Sequence, residues 1–156
     1  MIIHLICVGQ KMPKWVQDAY QDYAKRLPKS CSLNLIELPM ALRGKTGSVA
    51  QYKTEEAKRI LAAVPKQARL IVLDEKGVQP TTLKLADKLA EWLGGGQDIA
   101  LVVGGPDGLD ESIREQASWM WSLSHLTLPH PLVRVLLAEQ IYRAWSVLQN
   151  HPYHRE

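Results

Sequence analysis

The chain has 156 residues, 46% of them hydrophobic and 22% charged, with a formal net charge of +3. A chain of this length buries roughly 70% of its unfolded surface, enough for one domain whose core needs neither disulfide nor metal. No apolar run approaches the ~18 residues of a bilayer span, which excludes a membrane-spanning helix from the reading.

The opening "MIIHLICVG" is apolar but has no basic leader and no small-residue cleavage site, so it reads as a first strand of a cytoplasmic protein rather than as a signal peptide. Cys7 and Cys31 lack any CxxC spacing and read as a reduced pair of bystanders. Lys and Arg outnumber Asp and Glu by 11 to 5 in residues 1–66, while residues 67–156 hold 8 against 11. A basic first portion suits a polyanion such as RNA, although solvated lysines on helix faces give the same count.

In chain order, "IIHLICVG" (2–9) and "LNLIELP" (33–39) are short apolar runs closed by Gly9 and Pro39, both strand-like. Between them "PKWVQDAYQDYAKRLP" carries Pro13 in a first helical turn, a Trp15, Ala19, Tyr23, Leu27 stripe and Pro28 as a stop. "ALRGKTG" is a basic loop running into a helix that ends near Val64, and "RLIVLDEKG" (69–77) reads as a buried strand. "TTLKLADKLAEWLGGG" puts Leu83, Ala86, Leu89, Ala90 and Leu93 on one helix face and stops at Gly94. "DIALVVGGPDGL" is a strand entering a glycine turn; "DESIREQA" follows, then strand-like "WSLSHLTL" and a long helix from about Pro131. Five strands alternating with five helical segments predict an α/β fold, a mainly parallel sheet with helices on both faces. Ligands of such sheets bind beyond the strands' carboxyl ends, which singles out the loops after Leu73, Val103 and Ser122.

Three stretches carry chemical signals. In "VVGGPDGL", Gly104, Gly105 and Gly108 permit either close backbone approach to a ligand or simply a tight turn; the spacing is neither a P-loop nor GxGxxG. "LSHLTLPHP" runs into Pro129-His130-Pro131, which makes either a preorganised wall for a nucleoside or a stiff strand-to-helix link. His125, His130, His151 and His154 have no metal-ligand spacing, and no GxSxG accompanies Ser122 and Ser124, so neither metal nor hydrolytic chemistry is expected. In residues 132–148, 12 of 17 are apolar, more than one sheet can cover, so this helix is either deep core or partner-facing. Glu139 and Arg143 are spaced to pair, with Ser146 near them and Arg134 pointing elsewhere.

Taken together, "KMPKWV", "LRGKTG", "VVGGPDGL" and "WSLSHLTLPHPLVRVLLAEQIYRAWSVLQNHPYHRE" resemble, essentially end to end, the small SPOUT-class methyltransferases that methylate N3 of a pseudouridine in large-subunit ribosomal RNA. The resemblance implies a C-terminal trefoil knot, a homodimer, and S-adenosyl-L-methionine as cofactor. Its cofactor contacts fall on Leu73, Gly104, Leu123, Ser124, His125, Leu126, Thr127 and Leu128, with His125 contributing backbone rather than imidazole. The implied substrate is a stem-loop of ribosomal RNA at the subunit interface of the assembled ribosome, and no metal is required.

The density of aromatic and charged groups in "HPYHRE" suggests that Tyr153, His154 and Arg155 close over the acceptor base: Tyr153 positioning it, Arg155 stabilising carbonyl charge, His154 relaying the proton. Lys11, Lys14, Arg43 and Lys45 are the expected phosphate contacts. The competing reading is a non-catalytic RNA-binding dimer on the same fold, which would need no intact cofactor pocket.

Overall fold

The computed structural model describes residues 1–155. Its sheet has five strands, β1 (Ile2–Val8), β2 (Ser32–Leu38), β3 (Arg69–Val78), β4 (Ile99–Val103) and β5 (Trp119–Trp121), in the order β2-β1-β4-β3-β5. Every strand pair is parallel. Five α-helices connect or follow them: α1 (Lys14–Ala24), α2 (Val49–Ala63), α3 (Thr82–Gly95), α4 (Glu111–Gln116) and α5 (His130–Leu148). The predicted α/β alternation is therefore the architecture. β4 is buried at all five positions because it lies between β1 and β3 and has helices above and below.

The two faces divide the helices. Tyr20 of α1, Leu85, Leu89 and Trp92 of α3, and Leu137 and Ile141 of α5 share one core with Ile3, Leu5 and Ile71. On the other face, Ala57 and Ile60 of α2 and Ile113 of α4 pack on Ile6, Val72 and Val102. Alternate residues of one strand thus enter opposite cores, as the pleat requires.

Local chemistry sets the element ends. Ser48 and Gln51 form a reciprocal capping box at the start of α2, with the Ser48 hydroxyl accepting from the Gln51 amide and Gln51 Oε1 accepting from the Ser48 amide. Thr81 caps α3 and Asp110 caps α4. Pro129 precedes α5 and Pro131 lies in its first turn, where a missing N–H costs nothing.

Several expectations change in detail. Trp15 is 57% exposed while Val16 and Tyr20 are buried, so the buried positions within α1 are shifted one residue from the expected ones; Leu27, beyond the helix, is buried as expected. In α3, Leu83 and Ala90 face solvent, while Leu85, Ala86, Leu89 and Trp92 are buried, and the helix continues to Gly95. β5 is only three residues long; from Ser122 the chain leaves the sheet as a loop. No residue of α5 is fully exposed even within one chain, because α1 and α3 flank it and Tyr153 of the tail packs back onto it. Among the described residues, no helix is long and apolar enough to cross a membrane.

Candidate active site

At the carboxyl ends of β1, β4, β3 and β5 the sheet opens into a cavity of about 620 Å³. Its lining comes from Val8 and Gly9, from Leu73 and Asp74, from the turn at Gly104–Leu109, and from Ser122–Leu128 with His130 and Val133. These are the three loops expected from the sequence, together with the end of β1. Of the eight expected cofactor contacts, Leu73, Gly104, Leu123, Ser124, Leu126, Thr127 and Leu128 line this one cavity; His125 is exposed and does not line it. The lining joins aliphatic walls to a few hydroxyls and carboxylates, and the volume is in the range of roughly 300–1,000 Å³ that small-molecule sites occupy.

The glycines of the turn prove to serve packing as much as ligand approach. A Cβ on Gly104 would come within 2.9 Å of the Leu109 side chain and 3.0 Å of the Gly108 backbone. One on Gly105 would meet Glu56 Oε1 at 2.9 Å. Gly108 has φ +82, a left-handed conformation that a side chain would strain, and bridges back to Gly105.

Two ionic clusters stand beside the cavity, and neither was visible as a pattern in the sequence. On one side Glu56, only 2% exposed, accepts from the Ala41 amide and from Arg43, whose other guanidinium nitrogen reaches Asp107 at 2.5 Å. Arg43 also lies over the Tyr52 ring. Its guanidinium is paired within the fold at an exposed position; Lys11 and Lys45 have no ion pair among the described residues, and Lys14 pairs at the surface with Asp18. Asp74, within β3 where its regular pairing with β5 breaks off, is held by Arg114 at 2.7 Å.

On the other side stands Arg134, 1% exposed. Its guanidinium donates to Glu37 Oε2 at 2.6 Å, to the Gly9 carbonyl at 2.7 Å and to His130 Nε2 at 3.1 Å. Since Nε2 accepts from a permanently charged donor, the imidazole proton sits on Nδ1. Burial, reinforced by the Arg134 charge, pushes the His130 pKa down to about 4, so the ring is neutral at physiological pH. Arg134 itself is buried while Glu37 is partly open to solvent, so the pair is screened on one side only.

The tail is ordered but elsewhere. The Tyr153 hydroxyl donates to Glu139 Oε1 at 2.9 Å, and Arg143, paired with the same carboxylate, lies 4.9 Å from the Tyr153 ring centroid. Tyr153 packs on Tyr142 with centroids 4.7 Å apart, and His154 Nδ1 is 3.3 Å from the Ser146 hydroxyl. Burial and the Glu139 contact raise the Tyr153 pKa, so its phenol stays protonated. Tyr153, His154 and Arg155 line no part of the cavity in their own chain. The expected pairing of Glu139 with Arg143 is present, at 2.6 Å.

A family model described as predicted SPOUT methyltransferase matches residues 1–154, and the chain belongs to that family of methyltransferases. More particularly, the protein from Hydrogenovibrio crunogenus named ribosomal RNA large subunit methyltransferase H is 74% identical over 156 residues, the whole of both chains. Its namesake from Thioalkalivibrio sulfidiphilus is 54% identical over the same full length. Among solved structures, a methylase-family protein from Haemophilus influenzae superposes with a TM-score of 0.57 at 13% identity, covering 95% of this chain and 68% of that one, a likeness of fold.

Proposed function

We propose that this methyltransferase transfers a methyl group from S-adenosyl-L-methionine to N3 of a pseudouridine in large-subunit ribosomal RNA, within the assembled ribosome. The observation that carries the reading is the convergence of seven expected cofactor contacts, from three separate chain segments, on one cavity at the sheet's carboxyl edge. The names of the full-length relatives supply the substrate class.

Leu73, Leu123 and Leu128 would hold the adenine, with Gly104 and the backbone of 123–128 fixing its polar edge. Bound there, S-adenosyl-L-methionine supplies an electrophilic methyl on a sulfonium centre. The chain must then bring N3 into line with that methyl, exclude water and accept the N3 proton as the N–C bond forms. Within one chain nothing described from residues 153–155 reaches the cavity, so the tail that closes over the base is that of a second copy, in a homodimer. Arg155 then stabilises the developing carbonyl charge and His154 takes the proton, while Tyr153 positions the ring. Lys11, Lys14 and Lys45 contact phosphates. In this reading the final segment threads through a trefoil knot.

The test is mass analysis of ribosomal RNA from a strain lacking the gene, with purified protein, S-adenosyl-L-methionine and ribosomes added back. The expected result is loss of one methyl from a pseudouridine and its restoration in vitro. An unmodified pattern of ribosomal RNA masses in the deletion strain would refute the reading.

A further inference from the structure

We infer that Arg43 is a positioning residue for the cofactor: its guanidinium ties the loop before α2 and the glycine turn after β4 to one buried carboxylate, Glu56, and so keeps two walls of the cavity at a fixed separation. The inference rests on the cofactor reading above and deepens it. Its basis is a set of hydrogen bonds that meet on one side chain. Arg43 Nη1 donates to Glu56 Oε2 at 3.0 Å and to the Ala41 carbonyl at 2.7 Å, and Nη2 donates to Asp107 Oδ2 at 2.5 Å. Met40, next to Ala41, lines the cavity, as does every residue from Gly104 to Leu109, whereas Arg43 does not. It therefore acts on the wall and not on the ligand.

α2 is the fixed body against which both segments are set. Glu56 Oε2 also accepts from the Ala41 amide at 2.9 Å, and the Tyr52 hydroxyl exchanges hydrogen bonds with the Gly44 amide and carbonyl, so the loop is held at residues 41 and 44. The turn has less of its own. It is closed by the Gly108 amide donating to the Gly105 carbonyl, and the polar side-chain partner of Asp107 among the described residues is Arg43. Two carboxylates thus converge on one cation. Glu56 Oε1 has no hydrogen-bond partner among the described residues and lies 2.9 Å from where a Cβ on Gly105 would stand. Without Arg43, Glu56 and Asp107 would be uncompensated like charges near one another, and the turn would be driven off α2. A wall fixed before the ligand arrives lowers the ordering cost of binding.

The experiment is a double-mutant cycle. Arg43→Ala, Asp107→Ala and the double variant are checked for folding by circular dichroism and titrated calorimetrically with S-adenosylhomocysteine. No RNA is present, so a phosphate contact by Arg43 does not enter the measurement. Each single variant is expected to raise Kd about tenfold, and the double variant to stay within about threefold of the weaker-binding single, because the two changes break the same clamp. Amide exchange of residues 104–109 without ligand should quicken in both singles while the sheet stays protected, which a general loss of stability would not produce. In Asp107→Ala, methyl transfer to ribosomes should show the cofactor KM rising in step with Kd and kcat falling less than about threefold. Asp107 is partly open to solvent, so its variant keeps the test open if Arg43→Ala does not fold. Parental affinity in either folded single variant, or losses that add in the double variant, would overturn the inference. Failure of the unaltered protein to bind S-adenosylhomocysteine would instead defeat the cofactor assignment itself.

Discussion

His130 shows how a residue can be prominent in a sequence and yet misread. Flanked by two prolines, it was legible as part of a rigid wall; its role as an acceptor for Arg134 was not, because the two are linked to Glu37 and Gly9, 97 and 125 residues from Arg134. Periodicity and local motifs carry no information about such separations. The same holds for Glu56, whose burial beside Gly105 explains a glycine that sequence alone leaves undecided between ligand approach and turn. The His130 shift also makes a measurable claim. The folded ring titrates near 4 and the unfolded ring near 6.5, so between those values only the unfolded chain binds the proton. Stability therefore rises with pH across this window and is lost on acidification from 6.5 toward 4. Melting temperatures measured from pH 7 to pH 4.5 should fall on acidification, and the fall should be shallower in His130→Gln. A wild-type slope no steeper than that of the variant would contradict the buried neutral imidazole.

At the scale of elements, strand and helix order followed from the sequence, whereas helix phase did not. Trp15, Ala19 and Tyr23 recur at a four-residue spacing, and so do Val16 and Tyr20; the surface of α5 decides which set is buried, and that surface is distant in sequence. β5 shortens for a related reason. Its pairing with β3 jumps from Leu73–Trp121 to Val78–Trp121, so the residues between bulge out and the chain exits at Ser122. Gly77 sits in that irregularity, and a Cβ there would lie 2.7 Å from the Met120 carbonyl and 2.8 Å from the Trp121 backbone carbon. Backbone atoms cannot rotate aside as a side chain can. Gly77→Ala should destabilise the fold by about 1–3 kcal/mol in urea titrations, the usual cost of overpacking. Gly94→Ala, within α3 and with no atom within 4 Å of the new methyl, should be neutral or stabilise by up to about 1 kcal/mol. Equal stability of the two variants would argue against a crowded crossing at Gly77.

For the whole molecule, α5 resolves two readings that the sequence left open. Its apolar excess is largely absorbed inside the chain by α1, α3 and the tail, so deep core accounts for more of it than expected. On the dimer reading proposed above, what a second copy would use is the reach of the tail. Deleting residues 152–156 removes Tyr153 from Glu139 and Tyr142, on the side of α5 away from the cavity lining. The truncated protein should retain cofactor affinity within about threefold and the same mass by light scattering, but lose methyl transfer to ribosomes. Full turnover after truncation would remove the tail from the active site.

The cavity wall is completed by residues between 122 and 133, and the buried guanidinium that ties the ends of β1 and β2 together is at position 134. On a ribosome making this protein, the strands that form the cavity's floor emerge well before the segment that turns them into a pocket. Until α5 docks, Glu37 and the Gly9 carbonyl lack their partner, so a chain cut short before α5 would have its strands but not the side chain that joins the ends of β1 and β2.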